Sequence, residues 1–79
     1  MTEDELVDVL KALAHPVRLR IMKVLTGTER NVGEIDDAAE IGQPTLSQQL
    51  AVLRNAGLVK TRKDAKLVYY RIEDDRLSK

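Results

Sequence analysis

The stretch from Gly42 to Arg54 holds the side chains with the clearest chemical use. Thr45, Ser47, Gln48 and Gln49 are hydroxyls and amides that both donate and accept hydrogen bonds. Leu46, Leu50 and Leu53 recur beside them at helical spacing and make one apolar face. Pro44 suits a first helical position, because the N–H it lacks would be unpaired there. A solvent-facing helix usually carries charge. One that gathers uncharged donors and acceptors at its N-terminal end is suited to reading base edges in a DNA major groove. Gln can pair bidentately with adenine, while Ser and Thr discriminate less. Arg54 lies toward the far end and suits a phosphate or an acidic neighbour better than a base.

Cations follow the same stretch. Formal net charge is zero over 79 residues, which looks wrong for a nucleic-acid binder. The distribution corrects that impression. Residues 41–72 carry Arg54, Lys60, Arg62, Lys63, Lys66 and Arg71 against Asp64 alone, a net +5. Residues 1–40 carry a net −4. A basic segment set against an acidic remainder makes an electrostatic footprint on one side of a molecule. Charges on an edge strand also discourage sheet aggregation, and both roles can hold together.

Other chemistry is poorly supported. There is no nucleophile elbow, phosphate loop, HExxH or Cys/His pair, so no catalytic residue is assigned. No metal site and no cofactor are expected. His15 stands alone without partner ligands and reads as a junction residue ahead of Pro16. Asp36-Asp37 and Asp74-Asp75 read as solvated acids, since neither pair assembles the oxygen ligands a hard cation needs. Strand alternation turns Tyr70 inward and leaves Tyr69 as a candidate for stacking on a nucleic acid.

The elements that must position these side chains are legible from periodicity. Residues 3–13 predict an amphipathic helix, with Thr2 as N-cap and Glu3, Asp4 and Glu5 in the turn favoured by the helix dipole. Its stripe of Leu6, Val9, Leu10 and Leu13 must pack on the domain core, a second subunit, or both. Pro16 starts a second helix to about Leu25, apolar nearly all round and so expected to be buried. Asn31 caps a short third helix over 32–39, with Glu34 at the reciprocal capping-box position. Ile41-Gly42 turns the chain into the helix from Pro44 to Ala56, which Gly57 closes. Residues 58–63 and 67–72 then alternate as two strands joined by Asp64-Ala65-Lys66. The predicted fold class is mainly α with a β-hairpin wing, a winged helix-turn-helix, as a single domain over residues 1–79.

Composition sets outer bounds. The absence of Cys excludes disulfides and thiolate sites within these residues. The apolar runs are too short to cross a membrane. The acidic start is unlike a secretory signal, so a cytoplasmic location is expected. A domain of this size buries only about 60% of its unfolded surface, and dimerisation is a common remedy.

Four separated motifs carry a resemblance. They are Leu10 to Ile21 (LKALAHPVRLRI), Val32-Gly33-Glu34-Ile35, Gln43 to Leu50 with Leu53 to Val59, and Val68-Tyr69-Tyr70. In this order and spacing the chain resembles the ArsR/SmtB family of bacterial winged-helix repressors, most closely its BigR-like branch. The resemblance implies a homodimer on a palindromic operator in double-stranded DNA, released by an inducer. It implies base or phosphate contacts from Gln43, Thr45, Ser47, Gln48 and Gln49, with Arg54 at the end of the same helix. It implies a wing of Arg62, Lys63 and Lys66. Dimerisation is expected through Leu6, Val9, Leu10 and Leu13, with a C-terminal turn near Leu77. The chain departs from the family's pattern where members carry sensor cysteines, with Asn31, Gly33 and Lys23 at those places. A fifth helix is expected to be short or absent. The rival expectation is a winged-helix interaction or dimerisation module that does not bind DNA.

Overall fold

The structure, a computed structural model, describes residues 2–73. The region near Leu77 lies outside the described residues. In chain order the elements are α1 (Glu3–Leu13), α2 (Pro16–Val24), β1 (Arg30–Asn31), α3 (Val32–Ala39), α4 (Thr45–Asn55), β2 (Val59–Asp64) and β3 (Leu67–Ile72). The three strands form one antiparallel sheet in the order β1-β3-β2. This is the winged helix-turn-helix that the periodicity predicts.

Local chemistry sets the helix ends. Thr2 accepts from the Glu5 N–H and starts α1. His15 Nδ1 accepts from the Val17 N–H and starts α2, which is the junction role expected of it. Asn31 and Glu34 close the capping box on α3. At the end of α4, Gly57 takes φ 76°. The Leu58 N–H donates to Leu53 O and the Gly57 N–H to Arg54 O. Those two bonds make a Schellman motif, and Leu53 and Leu58 on either side of it are both fully buried in the same core cluster.

The core lies between α2, α3, α4 and the start of β2. Ile21, Leu25, Ile35, Leu46, Leu50, Leu53 and Leu58 are its largest fully buried side chains. Tyr70 and Ile72 of β3 pack on it as the alternation predicts. Two elements are less buried than their composition suggests. α2 turns Ile21 and Met22 inward but leaves Leu19 exposed. The α1 stripe divides: Val9 is only 4% exposed and Leu13 packs against the core, while Leu6 and Leu10 stay 48% and 57% exposed. Val9 thus serves the chain's own interior. Residues i and i+4 stay on one face, but a stripe spanning four positions is wide enough to meet two partners.

Several features differ from the expectation: α4 ends at Asn55 and not Ala56, and β2 runs from Val59 to Asp64 and not over 58–63. Pro44 stands just before the first helical residue rather than inside the helix. Asp64 pairs with Leu67, so the wing turn is the two residues Ala65-Lys66. β1 was not foreseen; it pairs Arg30 with Tyr70 and Asn31 with Tyr69, and two residues carry no period to detect.

The turn between α3 and α4 sets the attitude of α4. Glu40 adopts a left-handed conformation, and its N–H donates to Asp36 O. Gly42, at φ 85°, donates its N–H to Asp36 Oδ1 at 2.7 Å. Asp36 is therefore a half-buried turn anchor, not merely a solvated acid. Arg20 Nη1 donates to Ala39 O at 3.1 Å, which places a cation on the carbonyl end of α3.

Candidate nucleic-acid interface

α4 presents two unlike faces. Leu46, Leu50 and Leu53 are buried, and Gln43, Thr45, Ser47 and Gln48 are exposed around its N-terminal end. Gln49 is half-buried. Among the four helices of the described residues α4 alone starts without a side-chain cap. Orphan N–H groups at such an end suit an anion. The Ser47 hydroxyl donates to Gln43 Oε1, linking those two side chains. Arg54 is exposed about 13 Å further along the helix axis, at the 1.5 Å rise per residue. Gln43, Thr45, Ser47 and Gln48 are thus accessible around the start of α4, while Gln49 is partly covered and Arg54 is exposed near the far end.

Two contacts that the sequence reading missed restrain this surface. Arg18 of α2 donates through Nε to Gln49 Oε1 at 2.8 Å. Its Nη1 lies 3.4 Å from the carbonyl oxygens of Lys11 and Ala12 in the last turn of α1. No sequence signal links residues 31 apart in this way.

The wing divides its cations by partner. Arg62 donates through Nε to Glu29 Oε2 at 3.0 Å and through Nη2 to Glu29 Oε1, a bidentate pair. Asp64 Oδ2 lies 3.5 Å from its Nη1. The guanidinium carbon sits 4.7 Å from the centre of the Tyr69 ring, so Arg62 covers the residue expected to stack on nucleic acid. Lys60 pairs with Glu73 at 2.7 Å. Lys63 and Lys66 are exposed, and among the described residues they form no ion pair. Near the tip of the wing the cations without an ion pair among the described residues are therefore Lys63, in β2, and Lys66, within the turn.

The Arg62 hydrogen bonds hold the Glu29 carboxyl below the usual carboxylate range, outweighing its desolvation, with further attraction from the Arg62 and Arg71 charges. The Arg62 guanidinium is raised in return, chiefly by its hydrogen bond to Glu29. A carboxyl depressed in the folded state stabilises the fold above its unfolded value of about 4.3 and loses that contribution as pH falls through the folded value. Glu29→Gln should therefore melt slightly below the parent at pH 7. The gap should close as pH drops below about 4, and a gap that ignores pH would contradict this assignment. Both groups meet solvent, so the gap is small.

Among the described residues no cluster of three or more His, Cys, Asp or Glu is placed to hold a metal ion. None of the described helices is long and apolar enough to cross a membrane.

A winged helix-turn-helix whose α4 is exposed and amide-rich at its start is the architecture of a class of DNA-binding regulators. Residues 15–61 match the family described as bacterial regulatory protein, arsR family, and the chain belongs to it. It is 48% identical over 75 residues to the biofilm growth-associated repressor of Agrobacterium fabrum, covering 95% of this chain and 64% of that protein. The chain thus spans just under two thirds of that curated relative. The crystal structure of the transcriptional repressor BigR from Xylella fastidiosa matches with a TM-score of 0.85 at 46% identity, covering 95% of this chain and 78% of that one. A homodimeric winged helix-turn-helix DNA-binding domain from Mycobacterium bovis, a possible ArsR-family regulator, matches with a TM-score of 0.85 at 37% identity, covering 95% and 70%.

Proposed function

We propose that this chain is a sequence-specific regulator of transcription that acts in the cytoplasm as a homodimer on a palindromic operator, most simply as a repressor. The observation that carries the reading is the exposed polar face of α4 mounted on a fully buried leucine face. Such a helix is rigid, projects donors and acceptors, and fits a major groove. Gln43, Thr45, Ser47, Gln48 and Gln49 read or position on the duplex, Arg54 takes a phosphate, and Lys63 and Lys66 reach the backbone from the wing. Arg62 sets the attitude of the wing while Glu29 holds it.

The dimer surface is Leu6 and Leu10 with Val7, backed by Val9 and Leu13. Three large apolar side chains exposed along one helix support it, as does the homodimeric state of the Mycobacterium bovis relative. Two copies would place their α4 helices about 34–36 Å apart in successive major grooves. The chain works by binding alone, with no catalytic step and no cofactor. Lacking Cys, its residues offer no thiolate for sensing metal or oxidant.

Base reading and phosphate binding can be separated by substitution. A duplex is first selected from a random library by the parent protein. Gln48→Ala should weaken binding to that duplex by about 1–3 kcal/mol and leave random DNA nearly unaffected. Lys63→Ala should weaken both duplexes alike. Equal behaviour of the two variants would remove Gln48 from the reading surface.

A further inference from the structure

We propose that Arg18 is a positioning residue that sets the orientation in which Gln49 meets the bases. The inference rests on the DNA-reading function proposed above and names the residue that presets one of its readers.

The geometry carries it. Arg18 Nε and Gln49 Oε1 are 2.8 Å apart in a partly buried contact. The oxygen and nitrogen of a Gln side chain look alike in shape, so chemistry must assign them. A guanidinium has five donors and no acceptor, so the Gln49 atom that meets Arg18 is the oxygen. Arg18 is itself held from behind. Its Nη1 faces the carbonyl oxygens of Lys11 and Ala12, at the negative end of the α1 dipole. The guanidinium is thus fixed between α1 and α4, and it fixes the Gln49 amide in one orientation.

That orientation has a consequence for recognition. Bidentate pairing of Gln with adenine needs the side-chain oxygen to accept from N6–H while the nitrogen donates to N7. Gln49 gives one lone pair of its oxygen to Arg18 and keeps the second, together with the two N–H groups of Nε2, at fixed positions. An amide that cannot flip presents one donor–acceptor pattern and so selects one base. Gln48 is exposed and has no side-chain hydrogen bond among the described residues, so its amide is free to turn either end to a base. Adjacent glutamines on one helix therefore differ in how firmly their donor–acceptor pattern is set.

Selection of bound sites from a random duplex library tests this with the parent chain, Arg18→Met and Gln49→Ala, each checked by thermal melting. Gln49→Ala should flatten one position per half-site at which the parent prefers a single base by roughly tenfold. Arg18→Met should relax that same position several-fold, because the released amide can flip, and leave preferences elsewhere intact. The proposal is overturned if Arg18→Met and the parent share one preference profile, or if Gln49→Ala flattens no position. A parent library without any enriched motif would overturn the DNA-reading function itself, and this inference with it. A second measurement needs no DNA and no Arg18 variant. The Arg18 Nε–H should exchange with solvent at least several-fold faster in Gln49→Ala than in the parent, and equal rates would overturn the proposed contact.

Discussion

Leu53→Ala is expected to lower the melting temperature by roughly 10–30 °C, the largest stability loss of any single truncation considered. Leu53 is 0% exposed and packs in the cluster with Leu46, Leu50 and Leu58. Removing a buried leucine side chain costs about 2–5 kcal/mol, the transfer energy plus the cavity it leaves. A domain of this length has only on the order of 4–12 kcal/mol in total. Leu53 also anchors the Schellman motif that ends α4, because Leu58 donates to its carbonyl and is buried in the same cluster. The truncation therefore loosens both the core and the helix terminus. Gln48→Ala, on the exposed face of the same helix, should shift stability by no more than about 0.5 kcal/mol. Thermal unfolding followed by circular dichroism separates the two. A loss of only a few degrees for Leu53→Ala would mean that the leucine face of α4 is not the centre of the core.

Leu10→Glu should have the opposite profile, leaving the monomer folded but abolishing assembly. Leu10 is 57% exposed, so a charged side chain there meets water and not the interior. Leu6 and Val7 lie one turn away and extend the patch. Burying a glutamate against its own copy across a two-fold axis desolvates two like charges. Sedimentation should then show a monomer at concentrations where the parent is a dimer. Affinity for a palindromic duplex should drop by about 10²–10⁴, the gain otherwise supplied by linking two half-site contacts. Val9→Glu, by contrast, should unfold the domain, because Val9 faces the core. A Leu10→Glu protein that sediments and binds like the parent would place the dimer surface elsewhere.

The contrast between Leu10 and Val9 also shows what periodicity can and cannot reveal. The stripe of α1 was evident, as were the helix limits at Glu3, Leu13, Val32 and Ala39. The Asn31–Glu34 capping box and the Gly57 terminus were legible too, since each depends on residues within a few positions of one another. Which face of α1 meets which partner depends on tertiary packing, and the same sequence pattern serves either arrangement. The polar face of α4 was legible because its leucines fix its phase. The restraints on that face were not. Arg18 meets Gln49 across 31 positions and Arg62 meets Glu29 across 33. Such contacts arise only after the helices and the sheet have docked. The wing cations therefore looked equivalent in sequence, yet Arg62 and Lys60 are committed to acids while Lys63 and Lys66 are not. Asp36 and β1 escaped for a related reason: one is a carboxylate that finds a backbone N–H six residues on, the other a strand too short to alternate.

The account stands on α4 and the wing gripping duplex DNA through charge as well as shape, and one titration addresses that directly. Anisotropy of a labelled random-sequence duplex is measured with the parent protein at 50 and 200 mM salt. About six phosphate contacts per dimer would weaken binding on the order of 10³-fold between those concentrations, as condensed counterions are released. A folded protein that leaves the duplex unbound at the lower salt, or that binds it equally at both, would contradict the account.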